Sequence, residues 1–410
     1  MVIWSGYLIE YIIRVMKYCV LIIDGAAGWP LPERGGKTCL ELAETPNLDA
    51  LAEEGMVGLV RTVPEGVEPS SACACMSLLG YDPEIYYKGR AAIEAVSMGV
   101  AIDEGEVIFR CNLVAVEDGR MKSYCAGHIG NDEAKKLIAA LNDRLGGNDV
   151  RFYPGVSYRH LLKLKGHRDT ARAICTPPHD ISGKPIAGYL PHGEGSRLLN
   201  QLIDSSAVVL AKHPVNIERQ AKGDAPANLI WLFWGSGRVP QMPAFEQTHG
   251  LKAALTSGVD LLRGLGQMMA MEILEISGVT DGLDNDFQGQ ALGALKSLDD
   301  YDLAVIHIEA PDEAGHSGSV DDKVEAIQRI DREVVSRLVS YKPGGLRLLV
   351  MPDHPTPIAI RTHVAEPVPF ILWGPGFAAN GSARFTEAEA KKTGLFIDKG
   401  YKIMGRLVGS

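Results

Sequence analysis

Short apolar runs and amphipathic stretches alternate along this chain. Tyr18 to Ile23 is a β-branched run ending in Asp24-Gly25, the pattern of a strand buried on both faces with a polar residue at its carboxyl end. Thr45-Pro46 opens a helix through Leu48, Leu51 and Ala52 that stops at Gly55. Val57 to Val63 predicts a second strand. After a proline-rich loop, Ser70 or Ser71 stands where a helix begins, running through Met76 to Leu79. Tyr301 to Glu309 and Leu346 to Met351 repeat the apolar strand that delivers polar residues at its end, and an amphipathic helix from Val320 to about Tyr341 separates them. Open α/β sheets bind ligands beyond the carboxyl ends of their strands, so these segments deliver side chains to one edge.

The middle of the chain differs in texture. Between about Asp103 and Gly223 the pattern gives strands at Val107 to Val116, Val150 to Tyr153 and Tyr158 to Leu164, helices at Asp132 to Leu145 and Gly195 to Ala211, and loops rich in Pro, His and Gly. This reads as a smaller α+β domain, 103–223, inserted into a discontinuous α/β core of 16–102 and 224–410. Val2 to Val15 is apolar but interrupted by Glu10 and Arg14, with no cleavage pattern after it. It reads as a tail or an upstream start codon, with folding expected from near Met16; an interfacial anchor helix is the alternative.

Composition narrows the function classes. The chain has 410 residues, 46% of them hydrophobic, enough for a sizeable core. With 51 acidic and 41 basic residues the formal net charge is −10, so no overall field draws in nucleic acid or an anionic membrane. An anionic substrate therefore needs a local basic pocket. Seven cysteines, an odd number in a chain too long to need a disulfide framework, point to a reducing cytoplasm.

Five clusters carry candidate chemistry: Asp24, Ser71, the run Asp312-Glu313-Ala314-Gly315-His316, the run Asp353-His354-Pro355, and His363. All but Ser71 come after apolar strands. Three aspartates and three histidines suit Zn²⁺ or Mn²⁺ without thiolates, and six such ligands exceed what one tetrahedral ion uses. Two ions sharing the site is the economical reading, with a serine at a helix N-terminus ionised beside them to attack phosphorus. Cys73 and Cys75 lack a second pair at ligand spacing and read as buried packing residues.

The ordered motifs Asp24-Gly25, Gly36-Lys37-Thr38-Cys39-Leu40-Glu41, Thr45-Pro46-Asn47-Leu48-Asp49, Leu79-Gly80-Tyr81-Asp82-Pro83 with Gly89-Arg90, Glu309-Ala310-Pro311-Asp312-Glu313-Ala314-Gly315-His316 and Asp353-His354 cover nearly the whole chain from Met16 onward. In this it resembles the alkaline phosphatase superfamily and, within it, the archaeal-type cofactor-independent phosphoglycerate mutases. The resemblance implies a mixed, largely parallel sheet sandwiched by helices. It implies one divalent ion held by Asp312, His316 and His363 and another by Asp24, Ser71, Asp353 and His354, with Mn²⁺ or Zn²⁺ in place and Mg²⁺ possible. It implies that Ser71 carries the phosphoryl group between the 3- and 2-hydroxyls of glycerate, with no bisphosphoglycerate cofactor. Around the nucleophile the resembling proteins show Gly-Ser-Asp-x-Ala followed by His or Asn, where this chain has Ala72 after Ser71 and Cys75 at the terminal polar place.

A substrate bearing phosphate and carboxylate needs fixed cations. Arg110, His128, Arg159 and Lys323 are the candidates, and the resemblance adds Arg90. Substrate held between two domains predicts opening and closing, which keeps the phosphoserine from water. Three readings remain open here: the mutase; a homoserine-kinase-like transferase or phosphatase using the same site; and a metal-binding scaffold that has lost activity.

Overall fold

The computed structural model describes residues 16–238, 241–341 and 345–409. The expectation for residues 1–15 lies outside these. Among the described residues the strands are β1 (Lys17–Ile23), β2 (Met56–Val60), β3 (Glu106–Glu117), β4 (Arg120–Ser123), β5 (Val150–Tyr153), β6 (Arg159–Lys165), β7 (Leu229–Ser236), β8 (Ala253–Thr256), β9 (Glu272–Ile273), β10 (Leu303–Ile308), β11 (Leu346–Met351), β12 (Val368–Trp373) and β13 (Phe396–Ile397). No helix among them is long and apolar enough to cross a membrane.

The chain divides into two compact units with boundaries at 87/88 and 240/241. The larger unit is built on a sheet of order β13-β2-β12-β11-β1-β10-β8-β9. β1 lies between β11 and β10, parallel to both, and β8 continues the parallel run, whereas β12 and β2 enter antiparallel. Six successive residues of β1 are buried, as its unbroken apolar sequence requires of a strand covered on both faces. On one face Cys19, Leu21, Ile23, Ile306 and Val350 pack against Leu48 and Leu51 of the Pro46–Glu54 helix and against Ile327, Ile330 and Val334. The predicted long helix is continuous in space but not uniform: α-helix over Val320–Arg329 and Ser336–Val339 is joined by a π-helical stretch, Ile330–Val335. Asp331 on that stretch accepts hydrogen bonds from Leu48 N at 2.7 Å and from Asn47 N and Nδ2 at 3.3 and 2.9 Å. It therefore caps a helix whose own Thr45 makes no side-chain cap. In the motif 36–41, Thr38 and Glu41 form a capping box at the start of the Cys39–Leu42 helix.

The smaller unit is a sheet of order β4-β3-β6-β5, with β7 on the other edge of β3. The Asn131–Leu145 and Ser196–Ala211 helices place Leu137, Ile138, Leu141, Leu199 and Ile203 against Phe109, Leu113, Leu162 and Trp231. On the other face Ala91, Ala92 and Ala95 of the Arg90–Ser97 helix meet Ile108 and Leu161. Those contacts, and the pairing of β7 with β3 from Leu229 to Ser236, explain why the unit boundaries differ from the expected 102/103 and 223/224. From either side of the stretch whose texture changes in the sequence, small alanines of a helix cover this sheet and a late strand completes it.

β6 carries His160, wholly buried, with Nδ1 accepting the Gly155 N–H at 3.0 Å. Burial, with Arg110 next in effect, pulls its pKa down to about 3. The unfolded imidazole takes up its proton near pH 6.5, so stability is full above that pH and falls as pH drops toward about 3, by at most about 1.4 kcal/mol per pH unit. Urea unfolding of His160→Gln between pH 6 and pH 4 is expected to show a slope shallower by one proton, and equal slopes in variant and parent would remove His160 from the account. Asp331→Ala leaves three N–H donors without their acceptor and is expected to lose about 2–3 kcal/mol, read as a lower thermal midpoint, with Asp331→Asn falling between.

Candidate metal centre

The centre is assembled at the carboxyl ends of adjacent strands of the large sheet. β1 hands over Asp24, whose N–H still bonds Ile308 O at 3.0 Å. Gly25 comes next with φ of 61°, and a Cβ there would collide with the Asp312 side chain, so glycine lets this loop lie against the Ala310–Ser317 helix. β10 runs through His307 and Glu309 into that helix, where Asp312 and His316 stand four residues apart on one face. β11 leads to Asp353 and His354, and the same loop continues to His363. Ser71 opens the Ser71–Leu78 helix, with Ser70 as its N-cap accepting the Cys73 N–H at 3.3 Å.

Side chains remote in sequence meet here. Asp312 Oδ2 lies 3.1 Å from His316 Nε2 and 3.6 Å from His363 Nε2, and the two imidazole nitrogens are 2.9 Å apart. Ser71 Oγ is 3.2 Å from His354 Nε2, which is 3.2 Å from Asp353 Oδ2 and 3.6 Å from Asp24 Oδ1. Ligand atoms of Asp312, His354 and His363, and of Asp24, Asp353 and His354, gather within 4.8 Å, so His354 touches both groups.

The electrostatics reflect burial. Asp24 is pushed well above the usual carboxylate range by desolvation and by Asp353, Glu309 and Asp312 beside it. Burial raises Asp353 as well. Burial alone would raise Asp312, but the His316 and His363 imidazoles overcome it and hold it well below its ordinary value. In return Asp312 outweighs the desolvation of His316 and lifts it to about 10. Burial lowers His354 well below its usual value and His307 to about 4. A set this rich in carboxyls and this dry fits divalent cations: charge from outside the chain would let every aspartate ionise, and neutral imidazoles are the form that binds metal. Asp24 Oδ1, buried and without a hydrogen bond among the described residues, is oriented toward His354 as a ligand oxygen would be.

Some residues at the centre were not singled out from the sequence. His307 Nε2 lies 2.8 Å from Asp24 Oδ2 and 3.5 Å from Glu309 Oε2, and these three form a further group. Thr356 Oγ1 donates to Asp312 and sits 3.3 Å from His354 Nδ1. A signal existed: His307 and Glu309 alternate as polar residues at the end of an otherwise apolar strand. The Cys75 thiol, kept protonated by burial and by Asp353, donates to Asp353 Oδ2 at 3.7 Å, so it does more than pack, while Cys73 packs with Val63 and Ala74 as expected.

Lys323 corrects an expectation. It is 0% exposed, and its ammonium donates to Ala27 O at 3.2 Å and Thr356 O at 2.8 Å, joining the loops after β1 and β11. A cation enclosed between two carbonyls is a clamp, not a substrate contact. Arg110 is corrected in the same sense. It is buried, donates to both carboxylate oxygens of Glu94 and to Asn112 Oδ1 at 3.2 Å, and lies over Phe233.

In the smaller unit, Arg90 reaches Glu94 at 2.9 Å from the other side and stacks over Trp234 at 4.6 Å. Arg159 lies over Tyr158 at 5.3 Å, and the Tyr158 ring meets those of Tyr124 and His128 edge-on. Burial would raise Glu94, but Arg110 and Arg90 hold it below its ordinary value. Two guanidiniums thus answer one carboxylate. His128, Ser157 and Trp234 hold positive φ angles of 53°, 53° and 51°, strained backbone concentrated around these rings.

Comparison with known proteins gives one family. Residues 52–216 match the family model for 2,3-bisphosphoglycerate-independent phosphoglycerate mutase. A protein of that name from Methanosarcina barkeri is 46% identical over 96% of this chain and 99% of its own length. One named as a probable 2,3-bisphosphoglycerate-independent phosphoglycerate mutase, from Geobacter sulfurreducens, is 42% identical over 95% and 98%. Among solved structures, a Pyrococcus horikoshii protein superposes with a TM-score of 0.78 at 26% identity, covering 96% of both chains. The cofactor-independent phosphoglycerate mutase of Thermoplasma acidophilum shares the fold at a TM-score of 0.60 and 24% identity, over 96% of this chain and 99% of that one. With relatives this similar over nearly its whole length, the chain belongs to the 2,3-bisphosphoglycerate-independent phosphoglycerate mutase family.

Proposed function

We propose that this chain interconverts 3-phosphoglycerate and 2-phosphoglycerate through a phosphoserine at Ser71, with two divalent ions bound and no bisphosphoglycerate. The observation that carries this is the meeting of Ser71 with His354, which joins Asp24 and Asp353, next to Asp312 and the partly buried His316 and His363. Those two sets would hold the two ions. When bound, such ions neutralise phosphoryl oxygens and lower the pKa of a coordinated hydroxyl. Oxygen and imidazole donors suit Mn²⁺ or Zn²⁺, and Mg²⁺ less well where imidazole dominates.

The chain's own groups do the rest. Ser71 Oγ gives up its proton and forms a bond to phosphorus as the bond from phosphorus to the substrate's C3 oxygen breaks, and that oxygen takes up the proton released. The 2-hydroxyl of the retained glycerate then attacks the same phosphorus, giving up its proton and returning the Ser71 oxygen. The Ser71–Leu78 helix presents its N-terminal N–H groups where the anion develops. Within the smaller unit Arg90, Arg159 and His128 are the candidates for binding substrate anions, and Glu94, itself paired with Arg110, fixes the direction of Arg90. Excluding water from Ser71 keeps the phosphoserine from hydrolysis. Transfer to another acceptor is not favoured, since the relatives similar over the whole length carry the mutase name. The seven cysteines are free thiols, which fits a reducing cytoplasm.

Ser71→Ala is expected to lower kcat at least about 10⁴-fold and to leave no acid-stable phosphoprotein after mixing with labelled 3-phosphoglycerate; retained turnover would remove Ser71 as nucleophile. Protein stripped of metal by chelation is expected to form no 2-phosphoglycerate and to recover on adding Mn²⁺ or Zn²⁺. Full turnover by exhaustively stripped protein would end the two-ion reading.

A further inference from the structure

His307 lies beside the ligand cluster without belonging to either ion's set. β8, β10 and β1 are adjacent parallel strands, and their ends deliver Ser257, His307 and Asp24 in a line across the sheet. Ser257 Oγ is 2.9 Å from His307 Nδ1, and His307 Nε2 is 2.8 Å from Asp24 Oδ2. Ser257 Oγ also accepts the Val259 N–H at 3.0 Å, which leaves its proton to donate to Nδ1. The imidazole then carries its proton on Nε2 and donates it to Asp24. Gln290, itself held by Asn285 at 2.9 Å, donates to His307 O at 3.0 Å and keeps the backbone in place. One oxygen of Asp24 is thus tied to this line, and the other, Oδ1, is left toward His354 without a hydrogen bond among the described residues.

We infer that His307, oriented by Ser257, is a positioning residue that locks the Asp24 carboxylate with Oδ1 presented, and so sets the affinity of the ion held with Ser71, Asp353 and His354. The inference rests on the two-ion reading above. A carboxylate free to rotate about its last torsion would lose part of its coordination geometry, and hydrogen bonds that orient ligands are worth about 10- to 100-fold in metal affinity. The ion held by Asp312, His316 and His363 has no share in this line.

Calorimetric titration of metal-stripped full-length protein with Mn²⁺ tests it. The parent is expected to bind two ions. His307→Leu is expected to weaken one of them about 10- to 100-fold and leave the other unchanged, with kcat lower at fixed Mn²⁺ and the KM for 3-phosphoglycerate unmoved. His307→Gln, which keeps a donor near the Nε2 position, is expected to stay within about threefold of the parent, and Ser257→Ala to weaken the same ion by about three- to tenfold. Parental affinities in His307→Leu, equal losses in the leucine and glutamine variants, or loss of both ions together would each overturn the assignment. If His307→Leu does not fold, Ser257→Ala decides: an unchanged titration overturns it. A parent that binds no pair of ions overturns the two-ion reading and this inference with it, whereas a normal parent beside an unaffected variant sinks the inference alone.

Discussion

Four carboxyl groups, those of Asp24, Asp312, Asp353 and Glu309, are buried at one edge of one sheet, and they cannot all ionise there on the strength of the chain's own cations. The nearby positive charges are few. Asp312 favours the protonated form of His316, and Lys323 is committed to two carbonyls. Much else in the larger unit serves to hold this unfavourable arrangement. Parallel strands fix the spacing of the loops, Lys323 joins two of them, and Thr356 and Gly25 bring Asp312 into line. The stability stored in the apolar layers around β1 is what lets a polar cluster of this density persist.

Much of this is legible in the sequence, because the same physics writes the pattern. β1, β10 and β11 are continuous apolar runs since both faces are covered, and their ends stand out because the first polar residue after such a run has no apolar reason to be there. Asp24, Asp312, Asp353 and His354 are visible that way. His307 breaks its run too, but from inside the strand, where a lone histidine is as readily a satisfied core residue as part of a site. Lys323 and Arg110 mislead for a related reason: sequence shows that a residue is basic, whereas burial and an acceptor already in reach decide whether that charge is available. The inserted unit shows as a change in texture, but its edges do not, since an alanine-rich helix and a late strand fit either unit until the helix is seen to pack on the sheet that the strand joins.

The smaller unit treats charge differently. Glu94 between Arg90 and Arg110 leaves a positive excess held rigidly on aromatic faces, in a chain whose total charge is negative. A guanidinium pinned by a carboxylate loses some field and gains a fixed direction, which suits selecting among anions of similar charge but different shape. Next to Ser71 stand the uncharged Ala72 and, one turn on, the Cys75 thiol, a weak donor to Asp353.

Gly25 is the least conspicuous member of the centre. Because no side chain separates it from Asp312, the loop carrying one ligand set rests directly on the helix carrying the other. The interval between the two ligand sets is therefore governed by an absent methyl group. Any pair of cations held by these sets would inherit that interval, so its reach would be written into a backbone contact that no inventory of ligands would include.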